Sequence, residues 1–264
     1  MVNSLREQPT ENDPKEKFTG RVTDYALYRP RYPDAILESL RVDCGLNLQS
    51  IVADIASGTG LLTQVFLRNG NSVIGIEPNA EMRRAGEEYL RDWKDFLSVD
   101  GSAEATALSD GSVDFITVGQ AFHWIHPQHA RIEFARILRP LGWVVLVWNR
   151  RIPSGDSFNA SYHELLCRHC GGKQAVAGRR TSDQQIRDFF APSAVILNNF
   201  PNSQRLNWEG LKGRLLSSSY APTAGQPGHE PMIDDLARVF REHQNDGHVV
   251  LEYTTEVFCG QLQT

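Results

Sequence analysis

The chain has 264 residues, 41% of them hydrophobic and 22% charged, with a formal net charge of −5. That size and balance suit a soluble globular chain with one large domain, or a domain with an appendage. The acidic balance argues against a nucleic-acid binder that works by neutralising phosphates, and no run approaches the roughly 18 apolar residues of a membrane span.

The first 16 residues are polar and proline-containing. They read as a flexible tail without the apolar segment of a secretory signal. The four cysteines, Cys44, Cys167, Cys170 and Cys259, are too few for a disulfide scaffold, so a cytoplasmic location is expected. "PDAILESLRVDC" predicts a helix opened by Pro33, with Ile36, Leu37 and Leu40 at helical spacing. "SIVADIA" is a short strand, "GLLTQVFLRNG" a helix closed by Asn69 and Gly70, and "SVIGIEP" a second buried strand. "NAEMRRAGEEYLRDW" is a helix that Asn79 can cap. "FLSVDGSAEA" is a short strand entering a loop. "SVDFITVGQA" is a strand, "PQHARIEFARILRP" a helix and "GWVVLVWNR" a strong strand. This alternation predicts an α/β fold, a doubly wound parallel sheet with helices on both faces. The strands lack period-2 alternation, as strands covered on both sides should.

Residues 17–150 form one core in this reading. Residues 151–192 form a mostly helical insertion broken by "GGKQAVAGRR". Residues 193–264 supply two more strands around helices, which complete the sheet with one strand antiparallel at or near its edge. Cys167 and Cys170 form a CxxC beside His163 and His169, but no second pair follows, and zinc needs about four well-placed ligands. The pair reads as one packed helical turn. His123, His126 and His129 share no helix face across Pro127, so no metal is expected.

The first stretch that looks like a site is "IVADIASGTG", Ile51 to Gly60. Gly58 and Gly60 let backbone approach a ligand at the carboxyl end of a strand, where open α/β sheets bind ligands. A phosphate loop needs Lys then Ser or Thr after its glycines, and Leu61, Leu62 and Thr63 follow instead. A dinucleotide turn needs glycine or alanine where Thr63 stands. A plain strand–helix turn remains open for a lone glycine pair. Its surroundings favour a nucleoside site. Asp54 is a carboxylate inside an apolar strand and needs partners. Glu77 ends the next strand, where it can accept two hydrogen bonds from a ribose diol. The segment from Asn79 to Met82 offers an apolar side chain to an adenine face. "DGSAEA" then brings backbone groups to the adenine edge.

In this order the motifs resemble the class I S-adenosylmethionine-dependent methyltransferases of the small-molecule type, over about residues 18–150. That family's turn, acid-x-G-x-G-x-G, matches Asp54-Ile55-Ala56-Ser57-Gly58-Thr59-Gly60, with Ala56 in place of the first glycine. The resemblance implies a seven-stranded Rossmann-like sheet with one antiparallel strand, a helical cap, and S-adenosylmethionine as cofactor. It implies that Glu77, followed by Pro78, holds the ribose, that Met82 lies by the adenine, and that Ser102, Ala103 and Glu104 read its edge. Gln120, after the fourth strand, is expected to face the methionine part. "FTGRVTDYALYRPRYPDAIL" and "QAFHWI" further resemble a subgroup that includes trans-aconitate methyltransferases.

The reaction so implied is methyl transfer to an O, N, S or C atom of a small-molecule acceptor, with no nucleic-acid or membrane partner. His123 is the best candidate base, set against a histidine that merely shapes the loop. Trp124 and Tyr220 are candidate walls of the acceptor pocket, set against plain packing. Tyr25, Tyr28 and Arg29 suggest an N-terminal lid, with Tyr28 or Arg29 reaching the cofactor carboxylate. Arg150, Arg151, Arg179 and Arg180 read either as holders of an acidic acceptor or as a solvated cluster. A silent cofactor-binding module and an RNA or protein methyltransferase are the competing readings. "GQAFHW" stands where an Asn-Pro-Pro-Tyr-like amino clamp would, which argues against adenine or glutamine N-methylation.

Overall fold

The computed structural model describes residues 28–151, 157–172, 181–218 and 220–263. Tyr25, Arg179, Arg180 and the tail lie outside them. In chain order the elements are α1 (Ala35–Cys44), β1 (Ile51–Ile55), α2 (Thr63–Asn69), β2 (Ser72–Ile76), α3 (Ala80–Tyr89), β3 (Phe96–Val99), β4 (Val113–Gly119), α4 (Pro127–Ile137) and β5 (Leu138–Arg151). Then follow α5 (Phe158–His169), α6 (Asp183–Phe190), β6 (Ile196–Leu206), α7 (Trp208–Leu216), α8 (His229–His243) and β7 (Val249–Gly260).

The seven strands form one sheet in the order β3-β2-β1-β4-β5-β7-β6. The first five are parallel. β7 runs antiparallel to β5 on one side and to β6 on the other. The expected doubly wound, seven-stranded α/β sheet is therefore present, and its reversed strand lies one place in from the edge. Order reverses between β1 and β4, and the crevice above that point is where such a sheet takes a ligand.

Local chemistry sets the boundaries. Asn79 caps α3 as expected, its side chain accepting from the N–H groups of Glu81 and Met82. Gly70 closes α2 in the left-handed conformation. The helix expected to run to Pro140 stops at Ile137, and β5 begins at Leu138. Pro140 disfavours a helical Arg139, so the chain straightens before it. β6 carries Pro201 in mid-strand, which suits its edge position.

Three apolar clusters hold the layers. One packs α1 and α2 on one sheet face, through Leu40, Phe66 and Val145. Another packs α4 and α6 on the opposite face, through Phe134, Phe189 and Phe258. A third joins α5, α7 and α8 to β7, through Tyr162, Leu211, Met232 and Leu251. The segment read as one insertion thus divides: α6 packs on the sheet and α5 builds the third cluster. Cys167 and Cys170 stand at the end of α5, and Cys170 is buried with its Sγ 3.8 Å from Met232 Sδ.

Candidate active site

β1 delivers Asp54 to the crevice and the chain then turns sharply. Ala56, Gly58 and Gly60 have φ of 52°, 58° and 83°. Only glycine visits this left-handed region without a Cβ penalty, so Ala56 carries strain of about 1 kcal/mol. The turn is also tight against α3. A Cβ on Gly86 would lie 3.0 Å from the Gly58 carbonyl oxygen, and one on Gly58 would lie 3.3 Å from the Met82 methyl. Met82 is therefore packed beneath the turn.

Asp54 is 1% exposed. It accepts from the hydroxyls of Thr63 at 2.6 Å and Thr117 at 2.8 Å. Thr63, the residue that breaks the dinucleotide pattern, is thus the one that holds the buried acid. Burial pushes the Asp54 carboxyl up to about 6, against the pull of those hydroxyls. No cation bonds to it among the described residues.

Glu77, also buried, ties the turn to α3. Its two oxygens accept from Gly58 N–H at 2.9 Å and from Asn79 N–H at 2.8 Å. Burial raises its pKa, opposed by those two N–H groups and the nearby Arg83 charge. Each oxygen keeps a second lone pair for a further donor. Pro78, between these contacts, is half-buried.

The loop after β3 is pinned at both ends. Ser102 and Ala105 exchange backbone hydrogen bonds of 3.0 and 3.2 Å. Ala103 is buried, and the Glu104 carboxylate accepts from His126 N–H at 3.0 Å, at the start of α4. Glu133 of α4 accepts from both the N–H and the hydroxyl of Thr106, at 2.8 and 2.5 Å. Arg136 grips the same carboxylate through two nitrogens and, as the chief cause, holds its pKa down to about 2. Sequence reasoning missed Glu133. Its signal was an acid on the apolar face of a helix, between Ala130 and Ile137.

An open cavity with about 550 Å³ of empty space lies over the crevice. Arg29, Asp54, Ala56, Ser57, Gly58 and Gln120 line it, all of them expected from the sequence. Tyr32, Asn149 and Arg214 line it too and were not expected there. Gln120 itself has a φ of 60°, with its N–H bonded to Val147 O at 2.8 Å. The segment before α1 straps across the sheet. Asn149 and Asn202 donate to the Arg31 carbonyl at 3.3 and 2.8 Å, and Arg29 Nη2 donates to Ser217 O at 2.7 Å. Tyr28 lays its ring on α7 at Gly213, where any Cβ would lie 2.2 Å from ring atoms.

The remaining candidates sit apart. His123 and Trp124 form a 3₁₀ turn after β4, half-buried, ring centroids 4.7 Å apart. Neither lines the cavity. Gly60 packs against Leu90, away from the opening. Tyr220 accepts from Arg151 Nη2 at 3.3 Å.

Three comparisons bear on this geometry. A family model described as a methyltransferase domain matches residues 53–146, from β1 into β5. An uncharacterised methyltransferase-like protein of Schizosaccharomyces pombe is 35% identical over 256 residues, 93% of this chain and 95% of that protein. The chain belongs to the methyltransferase family. Other curated relatives of this methyltransferase match over less. The chain spans about half the length of an uncharacterised methyltransferase of Mycobacterium tuberculosis, 37% identical over 134 residues, 51% of this chain and 52% of that protein. A candidate type II methyltransferase of Anaeromyxobacter dehalogenans shares the fold. Its TM-score is 0.68 at 21% identity, over 90% of this chain and 100% of that one.

Proposed function

We propose that this methyltransferase uses S-adenosylmethionine and moves its methyl group to an O or N atom of a small-molecule acceptor. The observation that carries the reading is Asp54. A fully buried carboxylate with hydroxyl partners but no cation among the described residues is costly unless a positive ligand joins it. S-adenosylmethionine carries positive charge on its sulfur and its amino group, and so fits.

Bound there, that cofactor supplies a methyl group on a cationic sulfur, open to in-line attack. The chain's part is to bind, orient and exclude water. Asp54 draws the cationic end toward the β1 turn. Glu77 accepts from the ribose hydroxyls with its remaining lone pairs, and the turn at Gly58 admits the ligand close to backbone. The pinned loop Ser102-Ala103-Glu104 reads the adenine edge, beside Met82. Arg29 holds the cofactor carboxylate, and Gln120 borders the methionine part. An acceptor that carries a proton near neutral pH calls on a base, for which His123 is the candidate. A carboxylate acceptor needs none. Half of "FTGRVTDYALYRPRYPDAIL", which resembles the trans-aconitate methyltransferase subgroup, lies outside the described residues.

Calorimetric titration with S-adenosylmethionine and S-adenosylhomocysteine tests the cofactor claim. We expect binding by the intact protein and a loss of about a hundredfold in Glu77→Ala, which removes two loop contacts and the ribose acceptor. No binding by the intact protein sinks the reading. Methyl transfer to any member of a panel of carboxylic acids, phenols and amines then distinguishes an enzyme from a silent binding module.

A further inference from the structure

The four cysteines stand as two pairs with opposite surroundings. Cys44 and Cys259 belong to the cluster that packs α1 on the sheet, and both are buried. The Cys44 thiol beside it, and then burial, push the Cys259 thiol well up, so that sulfur stays protonated and inert. Cys167 and Cys170 form the CxxC at the end of α5, where Cys167 is half-buried. His163 lies one turn earlier on the same face, with its Nε2 3.5 Å from Cys167 Sγ. At that distance the imidazole can take the thiol proton. His169 turns instead to Asp235 at 3.1 Å, so the two histidines and two cysteines do not converge on a metal among the described residues.

Cys170 ends the helix. Its φ and ψ are −119° and 40°, and Gly171 and Gly172 follow at φ of 86° and 83°. Residues three apart on a helix keep their Cβ atoms about 5–6 Å apart, whereas a disulfide needs about 3.5–4.5 Å. Cys170 has already left the helical conformation, and the two glycines after it let its backbone close the gap.

We propose that Cys167 and Cys170 form a site of reversible thiol oxidation, in which His163 activates Cys167 toward a hydroperoxide and Cys170 closes the disulfide. Cys167 gives its proton to His163, and its sulfur attacks the outer oxygen of the hydroperoxide. The O–O bond breaks, and the departing oxygen takes that proton and leaves as water or an alcohol. Cys167 is then a sulfenic acid. The Cys170 sulfur attacks it, the S–O bond breaks, and the hydroxyl leaves as water with the Cys170 proton. The two sulfurs lose two electrons in all, and the peroxide gains them. A thiol reductant reverses the bond by exchange.

Burial sets the order of attack. It pushes the Cys170 thiol up to about 11, against the pull of the Arg151 charge, so Cys170 waits as the resolving partner. In the reduced chain its Sγ packs 3.8 Å from Met232 Sδ, and closing the bond withdraws it from the third apolar cluster. No step depends on a bound cofactor.

The test is iodoacetamide labelling of the reduced protein, read by peptide mass mapping. Cys167 should be alkylated about tenfold faster than Cys44 and Cys259. Hydrogen peroxide should give a Cys167–Cys170 disulfide that dithiothreitol reverses. In Cys170→Ser the sulfenic acid should persist at Cys167 and be trapped by dimedone; if that variant fails to fold, the mapped disulfide of the wild type carries the test. His163→Gln should slow Cys167 labelling about tenfold and leave Cys44 labelling unchanged, which a general loosening would not do. Labelling of Cys167 no faster than Cys44, or an unchanged rate in His163→Gln, overturns the proposal. So does peroxide that carries wild-type Cys167 to the sulfinic acid with no bond to Cys170.

Discussion

The two sides of the crevice, in and around the cavity lining, are opposites. At the β1–β2 end the ionisable groups are acids, Asp54 and Glu77, held by hydroxyls and backbone N–H groups. Toward β5 and α7 they are guanidiniums, Arg29 and Arg214 in the cavity lining and Arg151 behind it on Tyr220. The acidic end is local in the chain, from residue 54 to residue 77. The basic end gathers residues more than 180 positions apart, as the Arg29–Ser217 contact shows. A site built within one strand–turn–helix unit keeps a fixed spacing, and a site assembled by tertiary packing has none.

The contrast can be broken by substitution. The largest effect is expected for Gly58→Val. A β-branched residue at φ 58° pressed against Met82 rebuilds the turn, and cofactor binding should fall more than about a hundredfold by calorimetry. The basic side, built from other elements, should be untouched.

Asp54→Asn follows. The folded pKa of about 6 exceeds the ordinary 3.8, so the stability tied to this group is full below pH 3.8 and lost as pH rises through 6. That loss is about 3 kcal/mol at neutral pH. The variant should therefore gain over wild type in urea unfolding as pH rises from 5 to 7, and should bind cofactor more weakly. A gain independent of pH sinks this account of Asp54.

Glu133→Gln is a smaller perturbation with the opposite sign. Glu133 titrates at about 2, below its usual 4.5, so its contribution is present above pH 4.5 and lost as pH falls toward 2. The variant should lose about 2 kcal/mol at pH 7 and weaken cofactor binding a few-fold through the Thr106 loop. Equal stability of variant and wild type at pH 7 counts against that clamp.

Ala56→Gly is the smallest. It relieves a left-handed alanine but loosens the unfolded chain, for a net gain of about 0.5 kcal/mol in thermal unfolding. A loss instead means that the Ala56 methyl makes contacts worth more than its strain.

Legibility in the sequence followed the same division. The succession of strands and helices along the chain, the cap at Asn79 and the acids of the turn were readable because periodicity and short spacing carry them. Ala56 was read as a departure from the family's turn, standing where its first glycine would, and its positive φ gives that departure a physical form. Arg214 was invisible: on sequence it is a charge in an amphipathic helix, and only the packing of α7 against β7 turns it inward. Arg150 and Arg151 look alike as neighbours, yet alternation along β5 sends one to Glu256 and the other to Tyr220. His123 was favoured by its place after β4, but the turn holds it outside the cavity lining.

The position of β7 has a consequence for synthesis. It comes last in chain order among the seven described strands, yet it lies between β5 and β6. Val144 to Val147 of β5, fully buried in the finished sheet, therefore present an open apolar edge to solvent or to a neighbouring nascent chain until residues 249–260 have left the ribosome and paired with it.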